Sequence, residues 1–123
     1  MRMTSDSSPG INLVRSFKNG TLLINATLVR SSVCVSGEVL LLLPDLSDVA
    51  ALTDAHADTI LGTDPEVVLL GTGEQHLFPA TQWTARFLTR SVGIDVMTTA
   101  AACRTYNVLA SEHRRVTALL IIG

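Results

Sequence analysis

The sequence predicts an α/β fold: a mixed β-sheet with helices on both faces, formed by a βαβαβ C-terminal half, plus an N-terminal antiparallel β-hairpin layer. Three observations carry this. Residues 11–43 are short aliphatic and β-branched runs separated by Asn-Gly and Ser-Gly, the punctuation of hairpins. From "EVVLLG" onward, continuous apolar runs, typical of strands covered on both faces, alternate with helical patterns. Such strand-helix-strand order builds a mainly parallel sheet through right-handed crossovers.

Taken in chain order, "MRMTSDSSPG" (residues 1–10) is polar and ends in Pro-Gly, which predicts a flexible leader before a single domain of residues 11–123. "INLVRSF" and "TLLINATLVR" read as strands joined at Asn19-Gly20, and "SSVCVSG" and "EVLLLLP" as a weaker second hairpin. These hairpins either extend the parallel sheet or pack on it as a second one. Pro44 stops the last strand. "DLSDVAALTDAHADTILG" predicts irregular chain leading to a short helix, with Ser47 or Thr53 as N-cap and Gly62 as the stop. After "EVVLLG", a helix starts near Pro79, carries Ala80, Trp83 and Phe87 on one stripe, and closes at Gly93. "IDVM" is a short strand. Thr98 caps a helix through about Ser111, and "VTALLIIG" is a buried closing strand.

Composition excludes several classes of function. The 123 residues are 47% hydrophobic but only 4% aromatic, so the core is built from Leu, Val, Ile and Ala. Nine basic and eleven acidic residues give a net charge of -2 with scattered Lys and Arg, which argues against nucleic acid as a partner. No apolar run approaches the roughly 20 residues of a membrane helix, so no membrane span is expected. With no secretory signal read at the N-terminus, a cytoplasmic location and reduced Cys34 and Cys103 are expected.

Strands of an open α/β sheet present ligands past their carboxyl ends. Here that edge collects "GTGEQH" after one strand and "TTAAACR" after the next. Gly71 and Gly73 match two positions of a dinucleotide fingerprint, but His76 stands where the third glycine belongs and the helix starts only at Pro79, so the glycines are read as positive-φ turn residues. Cys103 lies one turn inside the Thr98-capped helix beside Arg104, with His76 and Glu74 as candidate bases on the neighbouring loop; among alanines it reads first as a small buried side chain. Arg104, Asn107 and Ser111 form a polar stripe, with Arg104 placed to pair with Glu74 or Asp95 across the loops. His113, Arg114 and Arg115 suit the carboxyl end of that helix as a cap. His56, His76 and His113 are dispersed, without metal-ligand spacing, and no nucleophile elbow is present, so no metal, cofactor or catalytic residue is assigned. The candidate ligand-binding set is Gly71, Thr72, Gly73, Glu74, Gln75, Thr98, Cys103, Arg104 and Asn107.

"LLGTGEQHLFP", the hairpin-rich start and "GIDVMTTAAACRTYNVLASEHRRVTALLI" together resemble a family of bacterial and archaeal proteins related to the mitochondrial complex I assembly factor 3 and to an adipogenesis-associated domain protein. The resemblance spans nearly all of residues 11–122 and is sharpest at Gly71-Thr72-Gly73 and Ala101 to Asn107. It implies a compact α/β domain with helices on both faces and an added hairpin layer, no carried-over reaction, and an assembly or interaction role. The leading functional expectation is therefore a non-enzymatic binding domain that engages a protein partner, in the setting of respiratory complex assembly. The alternative is a small-molecule or anion site at Gly71–Gln75 and Thr98–Arg104, with thiol or hydrolytic chemistry; a homo-oligomer is the third reading.

Overall fold

The structure is a computed structural model that describes residues 10–123, so residues 1–9 of the expected leader lie outside the described residues. Three short antiparallel strands come first among the described residues: β1 (Val14–Lys18), β2 (Thr21–Ile24) and β3 (Thr27–Val29). Asn19 and Gly20 turn β1 into β2 with φ of 50° and 70°, as a tight two-residue hairpin requires. "TLLINATLVR", which reads as one strand, is two. Asn25 takes φ 52° and Ile24 faces Thr27, so a second two-residue turn folds the run back on itself. Its side chain anchors this turn, accepting from the Leu13 N–H at 3.0 Å and donating to Asn12 Oδ1 at 3.2 Å.

The second hairpin, β4 (Ser32–Ser36) and β5 (Leu40–Leu43), leaves the small sheet and joins the larger one. The hairpins therefore do both things expected of them as alternatives. A 3-10 turn at Val49–Ala51 precedes α1 (Asp54–Leu61), which lies between Thr53 and Gly62 as its sequence signals suggest. Then follow β6 (Val67–Gly71), α2 (Thr81–Leu88), β7 (Gly93–Met97), α3 (Thr99–Ser111) and β8 (Val116–Leu120). Gly93 does not close α2: it begins β7. The helix ends earlier because Ser91 adopts φ 60° and the Val92 N–H returns to the Phe87 carbonyl at 3.0 Å. Trp83 and Phe87 are buried as their stripe predicts, but Ala80 is exposed, at the N-cap.

The larger sheet has the order β5-β4-β8-β6-β7, with β6, β7 and β8 parallel and β4 and β5 antiparallel. On one face, Val33, Val35, Leu69 and Ala118 pack against α3 and the small sheet. On the other, Cys34, Val68, Leu70 and Leu119 pack against α1 and α2. The fold is thus mixed α/β, with helices on both faces and a three-stranded hairpin layer sharing the face of α3. β4, β6 and β8 each contribute to both cores, and the five residues of β4 and of β8 are all buried.

Candidate functional site

The chain leaves β6 at Gly71 and enters α3 at Thr99, and these two points touch. A Cβ on Gly71 would stand 2.8 Å from Thr99 Cα and 3.1 Å from the Ala102 methyl. Gly71 is therefore needed for close approach, whereas Gly73, at φ +100°, is the residue that supplies a positive φ. The expectation that both glycines serve the turn holds for Gly73 alone.

Hydroxyls hold this junction. Thr99, fully buried, donates to the Ile121 carbonyl at 2.7 Å and accepts from the Gly73 N–H at 2.8 Å. Thr72 donates to the Gln75 carbonyl at 2.5 Å and accepts from the Leu77 N–H at 3.2 Å, folding the loop over itself. Thr98 caps α3 by accepting from the Ala101 N–H at 3.3 Å. Gly71, Thr72, Gly73 and Thr98 thus meet at one rim, where the Thr72 and Thr99 hydroxyls are spent on backbone groups of the same junction.

The remaining candidate residues divide. Glu74 and Gln75 are exposed on the loop. Cys103 is buried against the small sheet, and desolvation pushes its thiol up to about 11, against a smaller opposing pull from Arg104. Arg104 is exposed and, among the described residues, forms no ion pair with Glu74 or Asp95. Asn107 does not belong to a solvated stripe: Val14 N–H donates to its Oδ1 at 2.8 Å and its Nδ2 donates to the Val14 carbonyl at 2.7 Å. Its amide stands in for a neighbouring strand beside β1. Tyr106 adds a bond from its hydroxyl to the Asn12 carbonyl at 2.7 Å.

The basic end of α3 also differs from expectation. His113, at φ 64°, terminates the helix, and its N–H and that of Arg114 cap the Ala110 and Leu109 carbonyls at 3.0 Å each, but the Arg114 and Arg115 side chains reach the entry of β6 instead of the helix end. Arg114 Nε lies 3.2 Å from Glu66 Oε1, and the Arg115 N–H donates to the same oxygen at 3.0 Å. These contacts, the backbone N–H first, hold the Glu66 carboxyl below its ordinary range. A cleft of about 460 Å³ opens at this end of the sheet, lined by Thr63, Asp64, His113 and Arg114, opposite to the rim nominated from sequence.

Sequence reasoning missed the end of the glycine loop. Phe78 is 75% exposed and Leu77 43% exposed, at the mouth of a cleft of about 320 Å³ walled by Val49, Leu52, Pro79 and Trp83. The Trp83 indole is fixed in that wall by its bond to the Thr53 carbonyl at 2.9 Å, and the Phe78 ring lies 4.7 Å from the His76 ring. The available signal was an apolar pair outside any helical stripe, between a polar loop and a proline. Among the described residues, no cluster of three or more His, Cys, Asp or Glu is arranged to hold a metal ion.

Comparison with known proteins gives a consistent set of likenesses. The profile of a family described as "Protein of unknown function (DUF498/DUF598)" matches residues 14–121. A Francisella tularensis subsp. holarctica (strain LVS) protein called "13 kDa major membrane protein" is 36% identical over 76 residues, which are 62% of this chain and 62% of that protein. The chain thus aligns with less than two thirds of that relative's length. The NMR structure of a Xanthomonas campestris protein is 38% identical with a TM-score of 0.82, covering 96% of this chain and 90% of the other. The NMR structure of a Bordetella pertussis Mth938-like domain shares the fold at a TM-score of 0.82 and 24% identity, covering 99% and 92% of the two chains.

Proposed function

Because the chain belongs to the DUF498/DUF598 family, we propose that residues 11–123 form a non-catalytic docking domain. In this reading it holds a protein partner on the Leu77-Phe78-Pro79 loop and the cleft beside it. The observation that carries the reading is the exposure of Phe78, 75% open to solvent next to an apolar cleft floored by a pinned tryptophan. An exposed aromatic at the lip of an apolar cleft is the composition of an interface hot spot. The exposed Glu74 and Gln75 give that patch a polar border. Two further observations support a role without turnover: the rim hydroxyls are bonded internally, and both thiols are pushed up by burial, away from the reactive thiolate.

The likeness to relatives of the mitochondrial complex I assembly factor 3 supports respiratory complex assembly as the setting, with the domain working from the cytoplasm. Among the described residues no helix is long and apolar enough to cross a membrane. In this reading any membrane link of the kind named for the Francisella relative runs through the partner.

Phe78→Asp tests the proposal. The residue is exposed, so the variant should melt with the wild type. Purified wild-type protein is expected to capture a reproducible partner from soluble or membrane extracts, and the variant to lose it by at least tenfold, about 1.4 kcal/mol. Absence of any reproducible partner, or equal capture by the variant, would overturn the reading.

A further inference from the structure

Strand β5 has the composition of an interior strand and the position of an edge. Val39 to Leu43 is an unbroken apolar run, yet among the described residues β5 pairs with β4 alone. The register sets Leu40 and Leu42 opposite Val35 and Val33, on the face of α3, and Leu41 and Leu43 opposite Cys34 and Ser32, on the face of α1 and α2. Leu41 is 43% exposed and Leu42 is 52% exposed, so apolar surface is open on both faces of the same edge. The opposite edge of the sheet is protected: β7 carries the exposed Asp95 at its centre. β5 has no charge, proline or bulge within its span, the devices that ordinarily keep an edge from pairing.

The hydrogen-bonding phase of this edge follows from the hairpin. The Ser36 N–H donates to the Val39 carbonyl at 2.9 Å. Alternation from that pair turns the polar backbone of Leu41 and Leu43 toward β4 and that of Leu40 and Leu42 outward. Two such edges laid antiparallel are complementary when Leu40 of each copy faces Leu42 of the other. Four main-chain hydrogen bonds then form, and the two Leu41 side chains meet on the symmetry axis. In that register Glu38 falls opposite Pro44 and Asp45 opposite Gly37, so no like charges are set against each other.

We propose that β5 is an interface to a second copy of this chain, joining two five-stranded sheets into one continuous sheet across a two-fold axis. This surface is distinct from the Leu77–Pro79 patch, and neither proposal depends on the other. A ladder this short buries less than the roughly 1,200 Å² of a stable complex, so the association is weak and concentration-dependent.

Cysteine cross-linking on the full chain decides it. Directly opposed residues in a non-hydrogen-bonded antiparallel pair have Cβ atoms about 4.5–5.5 Å apart, near enough for a disulfide after slight adjustment. Leu41→Cys is expected to oxidise to a covalent dimer at least tenfold faster than Leu42→Cys, whose position is offset from itself across the axis. Both variants are made in a Cys34→Ser background, because Cys34 faces Leu41 across the hairpin and would otherwise capture the new thiol within the chain; Cys103 is buried on the other face of the sheet. In sedimentation, Leu42→Lys, at a half-open site, is expected to abolish wild-type self-association while leaving the circular dichroism melt unchanged. A wild-type chain that stays monomeric to about 0.5 mM, equal cross-linking at the two positions, or a dimer indifferent to Leu42→Lys would overturn the proposal.

Discussion

Gly71 and Gly73 are two residues apart and have different reasons to lack a side chain. At Gly71 a methyl would meet the backbone of Thr99, which cannot yield without moving α3 off the sheet. Gly71→Ala should therefore cost about 1–3 kcal/mol by denaturant unfolding, the usual range for a forced overlap in a packed region. At Gly73 a methyl would enter open space, and only the positive φ of +100° opposes it. Gly73→Ala should cost about 1 kcal/mol and leave the packing of α3 unchanged. The order of the two effects is the check: a Gly73 variant worse than the Gly71 variant would contradict the geometry. Both glycines stand out in "GTGEQH", but a string of letters does not say whether a missing Cβ serves torsion or proximity.

α3 shows how far an element can be read from its own residues. Its start at a threonine before three alanines, its length and its burial of Cys103 follow from local pattern. The role of Asn107 does not, because its partner Val14 lies 93 residues away in sequence. Asn107→Ala leaves the Val14 N–H and carbonyl without their partner and should cost about 1–3 kcal/mol. Native-state hydrogen exchange at the Val14 amide should quicken correspondingly, by more than at the amides of β8. Unchanged exchange at Val14 would show that β1 is held by the rest of the small sheet. The same contrast explains α2: Trp83 and Phe87 are legible from their spacing, whereas the stop at Ser91 is not, because serine is not a residue that announces a left-handed turn.

At the scale of the molecule, the two thiols sit on opposite faces of one sheet, Cys34 with α1 and α2 and Cys103 with α3. Burial pushes Cys34 up to about 12 and Cys103 up to about 11, and pushes Tyr106 up as well. Each is an acid whose folded pKa lies above its unfolded value, so the unfolded chain loses protons first as pH rises. The stability these groups contribute is intact below about pH 9 and declines through about pH 11 to 12. Unfolding free energy should fall steadily over that window, and native-state alkylation of both thiols should stay slow and flat between about pH 6 and 9. A stability profile level from about pH 9 to 11 would contradict their burial.

The kinds of element, their order and most of their ends are legible in the residues alone, because periodicity, caps and turn residues act over a few neighbouring positions. So is the meeting of the carboxyl ends of β6 and β7 at one rim, since consecutive crossovers admit few alternatives. Packing between distant segments is what pairs β4 with β8 instead of the small sheet, leaves "VLLLL" on an edge and not inside, and turns Phe78 to solvent. An apolar residue records a preference for burial, but whether it is covered depends on which distant strand or helix arrives beside it. That choice belongs to the packing of the whole chain, and no short stretch of this sequence contains it.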